Sequence, residues 1–203
     1  MEEFKNKDAV PAQRRCSTIR EILVGSAEAF GPQDAVRFKE GKDRIAAKSY
    51  SQLLHDSESF SCAIRSLLEK GSHVAVTGMT SYAWLVTYLG TVNAGDVAVP
   101  LDVSLPAEEL CELVDRSDAE ALVLDEVRKD VAAIVRQRCP KLKYLISMQK
   151  QEDDETALSF SSLLTTTVPL APLFALLFQC PHSPHRARET LTPGAPIPWA
   201  RAG

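Results

Sequence analysis

The sequence lacks the patterns that hold disulfide frameworks and zinc sites. It has five cysteines at irregular spacing, with no C-x-x-C pair: Cys16, Cys62, Cys111, Cys139 and Cys180. An odd, scattered set suits a reducing compartment, so we expect a cytoplasmic protein without disulfides. His182 and His185 form an H-x-x-H pair, but it lies among prolines with no partner carboxylate. We therefore assign no metal ligand.

Long apolar runs and an excess of positive charge are also missing. The longest apolar stretch, residues 168–180, is shorter than the roughly 20 residues that a bilayer requires and contains two prolines. Residues 1–8 are charged, which excludes a secretory signal. The formal net charge is −4, with no basic stripe. We expect neither an integral membrane segment nor a nucleic-acid partner.

Glycine-rich phosphate loops and nucleophile elbows are absent as well. There is no G-x-G-x-x-G, no G-x-x-x-x-G-K-[ST] and no G-x-S-x-G. Gly78 stands alone after a strand, which is too little for a dinucleotide site. Thr165, Thr166 and Thr167 lack the neighbouring glycines that would let backbone amides approach an anion, so we interpret them as a polar loop.

What the sequence does contain is a regular alternation of strand and helix signals. β-branched runs predict strands at 73–77, 97–101, 121–124 and 142–148, and helical spacing predicts helices at 81–94, from Pro106, and at 127–138. This order predicts an α/β fold: a parallel sheet with crossover helices on both faces.

Two capping boxes organise the region before this alternation. Thr18 with Glu21 starts a predicted helix over 18–30, and Ser49 with Gln52 starts a longer helix that Gly71 is placed to end. Between them, residues 35–40 and 44–48 read as two short strands. Residues 149–156 are polar and acid-rich, which favours a loop.

The chain divides into three parts by composition. We expect a flexible N-terminus at 1–16, an α/β domain at 17–165 and an irregular, disordered Pro-rich tail at 166–203. Seven of the twelve prolines lie in that last segment, where they remove backbone donors and fix φ. An altered reading frame or an early stop would produce such a composition.

For a few side chains we weigh a functional role against a structural one. Asp102 follows a strand at the edge where open sheets bind ligands, but we favour a role in capping the loop to Pro106. The acidic residues Glu108, Glu109 and Glu112 suit a solvated helix face. Trp84 and Tyr88 could line an acyl pocket, although core packing is the favoured interpretation. Cys111 and Cys139 have the apolar neighbours of buried structural thiols.

The segment from Gly71 to Met148 resembles a known family. Ala94-Gly95, Val99-Pro100-Leu101-Asp102 and Leu105-Pro106-x-Glu108-Glu109-Leu110 follow each other in the order found in adenylate-forming enzymes, especially AMP-forming long-chain acyl-CoA synthetases. "DAVRF" followed by "KSYSQLL" is similar to the family's first strand pair and the helix after it. The resemblance covers roughly residues 17–165.

The resemblance implies a fatty acid–CoA ligase reaction, in which ATP and Mg²⁺ activate a carboxylic acid and coenzyme A takes the acyl group. In the family a Ser/Thr/Gly-rich loop ending in Lys, an acidic adenosine-binding motif and a Lys on a mobile domain carry that chemistry. This sequence contains none of them. We therefore assign no catalytic, cofactor-binding or metal residue, and ATP, Mg²⁺ and coenzyme A are implied only for the full-length family.

Three hypotheses about function remain open. The chain is a synthetase fragment that is inactive alone, a subunit of a split synthetase completed by a separate chain, or a non-enzymatic module that binds an acyl group or a protein. Because a missing half would leave apolar surface uncovered, the first two predict marginal stability or self-association.

Overall fold

The computed structural model of this protein describes residues 16–40, 44–150, 152–153 and 156–166. All of them belong to one compact unit, Met1–Leu170. The predicted flexible start, the greater part of the predicted tail, and the His182/His185 pair lie outside the described residues.

The described elements alternate largely as the sequence predicts. The helices are α1 (Ile19–Phe30), α2 (Tyr50–Leu67), α3 (Tyr82–Asn93), α4 (Ala107–Arg116), α5 (Lys129–Arg138) and α6 (Phe160–Thr166). The strands are β1 (Asp34–Glu40), β2 (Arg44–Ser49), β3 (His73–Thr77), β4 (Val97–Leu101), β5 (Ala119–Leu124), β6 (Tyr144–Ser147) and β7 (Leu158–Ser159). A 3-10 turn, Glu126–Arg128, precedes α5.

Five of the strands form one parallel sheet in the order β4-β3-β5-β6-β7. The chain leaves β3 for β4 on one side and then returns to β5 on the other, so the strand order reverses around β3. β1 and β2 form a separate antiparallel hairpin. The predicted α/β class with a parallel sheet is confirmed.

Helices cover both faces of the sheet and create two apolar cores. Val74 and Val76 of β3 point into the first core, with Phe60 and Ile64 of α2 and neighbouring residues of α1, α3 and α6. The intervening Ala75 points into the second core, which α4 and α5 supply. The alternation follows from the two-residue period of a strand, which sends successive side chains to opposite faces.

Local capping chemistry sets the helix starts. Ser49 and Gln52 make the full reciprocal capping box at the start of α2. At α1 the Thr18 hydroxyl accepts from the Glu21 amide, but the Glu21 carboxylate accepts from the Ser17 amide rather than from that of Thr18. The second predicted box is therefore complete and the first is only half formed.

α2 and α3 cross closely at a glycine. A Cβ on Gly90 would lie 2.8 Å from a ring carbon of Phe60 and 2.9 Å from the Ser57 carbonyl oxygen. Ser61 closes the crossing with its hydroxyl, which donates to the Gly90 carbonyl over 2.6 Å and accepts from the Asn93 side-chain amide. One side of α3 is thus held firmly against α2.

Several element predictions were wrong in detail. α2 ends at Leu67 rather than at Gly71, which instead makes the positive-φ turn before β3. Pro106 is the N-cap of α4, one residue before the helix proper. β7 and α6 were not predicted, and Thr165 and Thr166 close α6 rather than forming a loop. The Thr165 hydroxyl bonds the carbonyls of Ser161 and Ser162, one helical turn earlier.

Candidate functional site

The candidate functional site is the carboxyl edge of the parallel sheet. All five strands are parallel, so their carboxyl ends meet at one edge, and open α/β sheets bind ligands there, where the strand order reverses. In this chain that point lies between β3 and β5. The loops after β3, β4 and β5 converge on it.

Asp125, the residue after β5, anchors the loop that follows β3. Its Oδ2 accepts from the Met79 backbone amide over 2.5 Å, and its Oδ1 accepts from the Val127 amide over 3.1 Å. The residue is only 3% exposed. Both carboxylate oxygens therefore serve backbone donors, and the β3 loop is tied to the end of β5.

Gly78 allows this close approach. Its φ is +146°, and a Cβ built on it would lie 2.7 Å from the Asp125 carboxylate. A side chain at position 78 would therefore meet both an unfavourable backbone conformation and a steric clash. Gly78, which on its own did not predict a dinucleotide site, therefore has a structural role in this turn.

Arg128 anchors the loop that follows β4. Its Nη1 donates to the carbonyls of Val103 and Leu105 over 2.7 and 2.8 Å. Its Nε lies 3.1 Å from an oxygen of Asp130, and this guanidinium lowers the pKa of the Asp130 carboxyl. The Arg128 side chain is only 7% exposed. One short segment, Asp125–Arg128, thus fixes two loops at the sheet edge.

Asp102 takes the structural role that the sequence analysis favoured. Its Oδ1 accepts from both the amide and the hydroxyl of Ser104, each over 2.8 Å. These two hydrogen bonds lower the pKa of the Asp102 carboxyl. The predicted loop cap is confirmed.

The acidic residues of α4 face solvent, as predicted. Glu108, Glu109 and Glu112 are all exposed. Glu108 pairs with Arg138 of α5, and Glu112 lies 3.5 Å from Arg116 on its own helix. They form a charged surface and do not converge on a common point.

A cleft of about 440 Å³ lies between α5 and the strands β5 and β6. Leu124, Ala132, Ala133, Leu145 and Ala157 give it an apolar floor. At its rim, Lys129 pairs with Glu126 over 3.1 Å, and the Arg136 guanidinium donates to the Thr156 carbonyl. The Lys150 amine also donates to the Thr156 hydroxyl over 2.8 Å, so the described polar groups of the rim are occupied by local contacts.

The aromatic pair on α3 has the predicted spacing but an intermediate environment. Trp84 and Tyr88 stack with ring centroids 5.8 Å apart and planes at 5°. Both side chains are half-buried, and Trp84 packs against the first core. The core-packing interpretation therefore applies to Trp84. Tyr88 is half-buried and stacks on Trp84, but it is not among the side chains that pack on the first core.

Cys111 and Cys139 are buried structural thiols, as predicted. The Cys139 thiol lies 3.4 Å from the Cys111 carbonyl oxygen, linking α4 to the end of α5. Burial, with a smaller effect of Cys139, raises the pKa of the Cys111 thiol to about 11. A thiol with such a pKa is a poor nucleophile near neutral pH.

Chemically, this edge is a scaffold. The carboxylates of Asp102 and Asp125 accept from backbone amides, and no group of three or more His, Cys, Asp or Glu that could hold a metal occurs among the described residues. Sequence reasoning did not single out Asp125 or Arg128 as anchors. An acidic residue directly after a buried strand was the available signal, but its partner Met79 lies 46 positions earlier.

The family profile described as "AMP-binding enzyme" matches residues 25–190 of this sequence. The chain belongs to the AMP-binding enzyme family. The recognition of an adenylate-forming relative from its structural motifs is therefore confirmed.

Among characterised proteins, this family member is similar to ligases of acyl groups. It is 24% identical over 162 residues to a long-chain-fatty-acid–CoA ligase of Mus musculus, covering 70% of this chain and 23% of that protein. It is also 24% identical over 166 residues to a mitochondrial medium-chain acyl-CoA ligase of the same species, covering 78% and 26%. This chain thus spans about a quarter of the length of these relatives.

Solved structures share its fold. An anthranilate CoA ligase in complex with anthranoyl-AMP superimposes with a TM-score of 0.66 at 19% identity, covering 74% of this chain and 28% of that one. The acetoacetyl-CoA synthetase of Streptomyces lividans gives 0.67 at 17% identity, covering 74% and 25%. No helix in the described part of the family member is long and apolar enough to cross a bilayer.

Proposed function

We propose that this chain forms the α/β scaffold of an AMP-forming long-chain fatty acid–CoA ligase and is inactive by itself. The observation that carries the proposal is the family match over residues 25–190 combined with a sheet edge whose carboxylates are used to hold loops. The long-chain-fatty-acid–CoA ligase among its relatives supports the substrate class. Because another relative is a medium-chain acyl-CoA ligase, the length of the acyl substrate is the first property to measure.

The inactivity of the isolated chain rests on chemistry that its residues do not offer. Mg²⁺ binds carboxylates together with substrate phosphates, and stabilising a transferring phosphate needs positioned donors and cations. The described residues offer no acidic cluster for a metal, and the sequence has no glycine-rich loop ending in Lys. The described residues do not fit ATP, Mg²⁺ or coenzyme A, so we propose that these ligands bind elsewhere in the complete enzyme.

ATP–pyrophosphate exchange on the purified chain tests the proposal. The assay uses Mg²⁺ and a series of fatty acids of increasing length, and we expect no exchange above the no-enzyme background. Exchange by the chain alone would overturn the inactive scaffold. A full-length acyl-CoA ligase assayed in parallel controls for the reagents.

The split-synthetase alternative adds one arm to the same experiment. Here the missing motifs reside on a separate chain encoded nearby, and both chains are co-expressed and co-purified before the assay. Exchange by the pair, with neither chain active alone, would favour this alternative. Its preference among fatty acids would then test the long-chain assignment.

A further inference from the structure

The cleft between α5 and the strands β5 and β6 has room for a small apolar ligand. Its volume of about 440 Å³ lies within the range of roughly 300–1,000 Å³ that is usual for small-molecule sites. α5 lines it with residues that share one side of the helix: Lys129, Ala132, Ala133 and Arg136. Leu124 of β5 and Leu145 of β6 line the strand side. The two alanines have short side chains, so the space between helix and strands stays open.

Two cations converge at one end of this cleft. The Arg136 guanidinium donates to the Thr156 carbonyl, and the Lys150 amine donates to the hydroxyl of the same residue. Two positive side chains thus meet at a neutral residue, although like charges held close together repel each other. Among the described residues that line the cleft, Glu126 is the single acid, and it pairs with Lys129. The lining at the Thr156 end therefore complements an anion.

The contacts that Arg136 already makes leave it able to bind a ligand. Its bond to Thr156 uses one of the several N–H donors of a guanidinium, and its side chain is exposed. A guanidinium pairs with a carboxylate through two parallel hydrogen bonds. Asp153, on the adjoining loop, already accepts from the Ser159 amide over 2.6 Å. The arrangement therefore suits a carboxylate at the rim that is joined to an apolar chain on the floor.

We propose that this cleft binds a small amphiphilic carboxylate, with its head on Arg136 and Lys150 and its apolar chain between α5 and the strands. A cationic amphiphile would meet its own sign at the rim, and a neutral one would gain only the apolar contacts. The rim thus selects for an anion. The site requires neither ATP nor coenzyme A, so it goes beyond the proposed ligase role, and carboxylate binding and pyrophosphate exchange fail or succeed independently.

Isothermal titration calorimetry of the full chain with octanoate tests the site. We expect one octanoate per chain, with a Kd below about 1 mM. Octanol and octylamine have the same apolar chain without the anionic head, and acetate has the head without the chain. Each of these three should bind at least about tenfold more weakly than octanoate, because each loses one of the two sets of contacts.

Two substitutions on α5 locate the ligand, and each has a matched control on the same helix. Arg136→Met should weaken octanoate binding by at least about tenfold, whereas Arg138→Met should change it by less than about twofold. Ala133→Trp fills the floor without changing any charge and should also weaken binding by at least about tenfold. Its control is Gln137→Trp, because Gln137 and Arg138 are exposed and do not line the cleft.

Four outcomes would overturn the proposal. They are no octanoate binding up to about 10 mM, equal affinity for octanoate and octanol, equal losses in Arg136→Met and Arg138→Met, and binding of several octanoates that Ala133→Trp leaves unchanged. The last result would indicate adsorption to exposed apolar surface. Positions 133 and 136 are both exposed, so we expect the variants to fold, which circular dichroism checks. If one variant fails to fold, the other and the ligand series on the unaltered chain decide.

Discussion

At the scale of single residues, Gly78 offers the sharpest test of how the sheet edge is built. Replacing it with Ala puts a Cβ 2.7 Å from the Asp125 carboxylate at a φ of +146°. We expect the free energy of unfolding to fall by about 2 kcal/mol or more, because strain and clash add. Urea denaturation measures the loss.

Gly71 supplies the matched control for this substitution. Its φ is +86°, but a Cβ there has no heavy atom within 4 Å, so Gly71→Ala carries the backbone strain without the clash. We expect a cost of about 1 kcal/mol. Equal losses in the two variants would show that the contact between Gly78 and Asp125 is unimportant.

Asp96 gives a prediction about pH. Its side chain is fully buried, accepts from the Gly71 amide over 2.8 Å and lies 3.6 Å from Arg65. Burial is the largest effect and raises the pKa of this carboxyl above 3.8. Between the ordinary and the raised pKa the folded state binds the proton more tightly, so rising pH lowers stability there.

The variant Asp96→Asn removes this titration. The stability of the wild type relative to the variant should fall as pH rises from about 4 through the raised pKa. Asp102→Asn is the control with the opposite sign, because Ser104 lowers the pKa of Asp102. The wild type should lose stability relative to that variant as pH falls. Urea midpoints across the pH range measure both, and a parallel pH course in the two variants would contradict the assignment.

At the scale of elements, Arg128 joins the β4 loop to the start of α5. Arg128→Met keeps an apolar stem but leaves the carbonyls of Val103 and Leu105 without their donor. We expect the free energy of unfolding to fall by about 1 to 3 kcal/mol, since two part-buried acceptors lose their partner. Amide hydrogen exchange should become faster in residues 103–105 before it does in the central strands.

Arg138→Met controls for the loss of an arginine. Arg138 pairs with Glu108, and both side chains are half or more exposed. Exposed ion pairs contribute only about 0 to 1 kcal/mol, so we expect little change. If both variants lose the same stability, the Arg128 contacts do not hold the loop.

The elements that sequence reasoning found are those with strong local signals. The capping box at Ser49 and the β-branched run His73–Thr77 have the predicted places in the structure. β7 was not predicted because it has only two residues and its strand geometry depends on pairing with β6. α6 is short and rich in Ser and Thr, which are weak helix formers, and its packing against α2 supports it.

The candidate site was less predictable than the fold, for a physical reason. Asp102 could be read from sequence because its partner Ser104 is two residues away. Asp125 reaches Met79 only because parallel pairing brings the ends of β3 and β5 together. Arg128 likewise reaches a loop more than 20 residues earlier. Contacts of this kind depend on strand order, which local patterns do not encode.

At the scale of the whole molecule, the helices on the two sides of the sheet differ in the charge of their surfaces. α4 and α5 face water with charged side chains, whereas α3 has none. If the chain self-associates, as the fragment hypothesis predicts, folding and association are linked, because only folded chains associate. The urea midpoint of the wild type should then rise between about 1 and 100 µM protein.

The Tyr88→Glu variant tests whether α3 is the surface through which the chain associates. Its midpoint should be the same at both concentrations and lower than that of the wild type, because the stacking of Tyr88 on Trp84 is lost. Leu113→Glu should retain the concentration dependence, since α4 lies on the other side of the sheet. A sharp wild-type transition that is independent of concentration would mean that the apolar side of α3 is stable in water, and that its composition reflects packing within one chain.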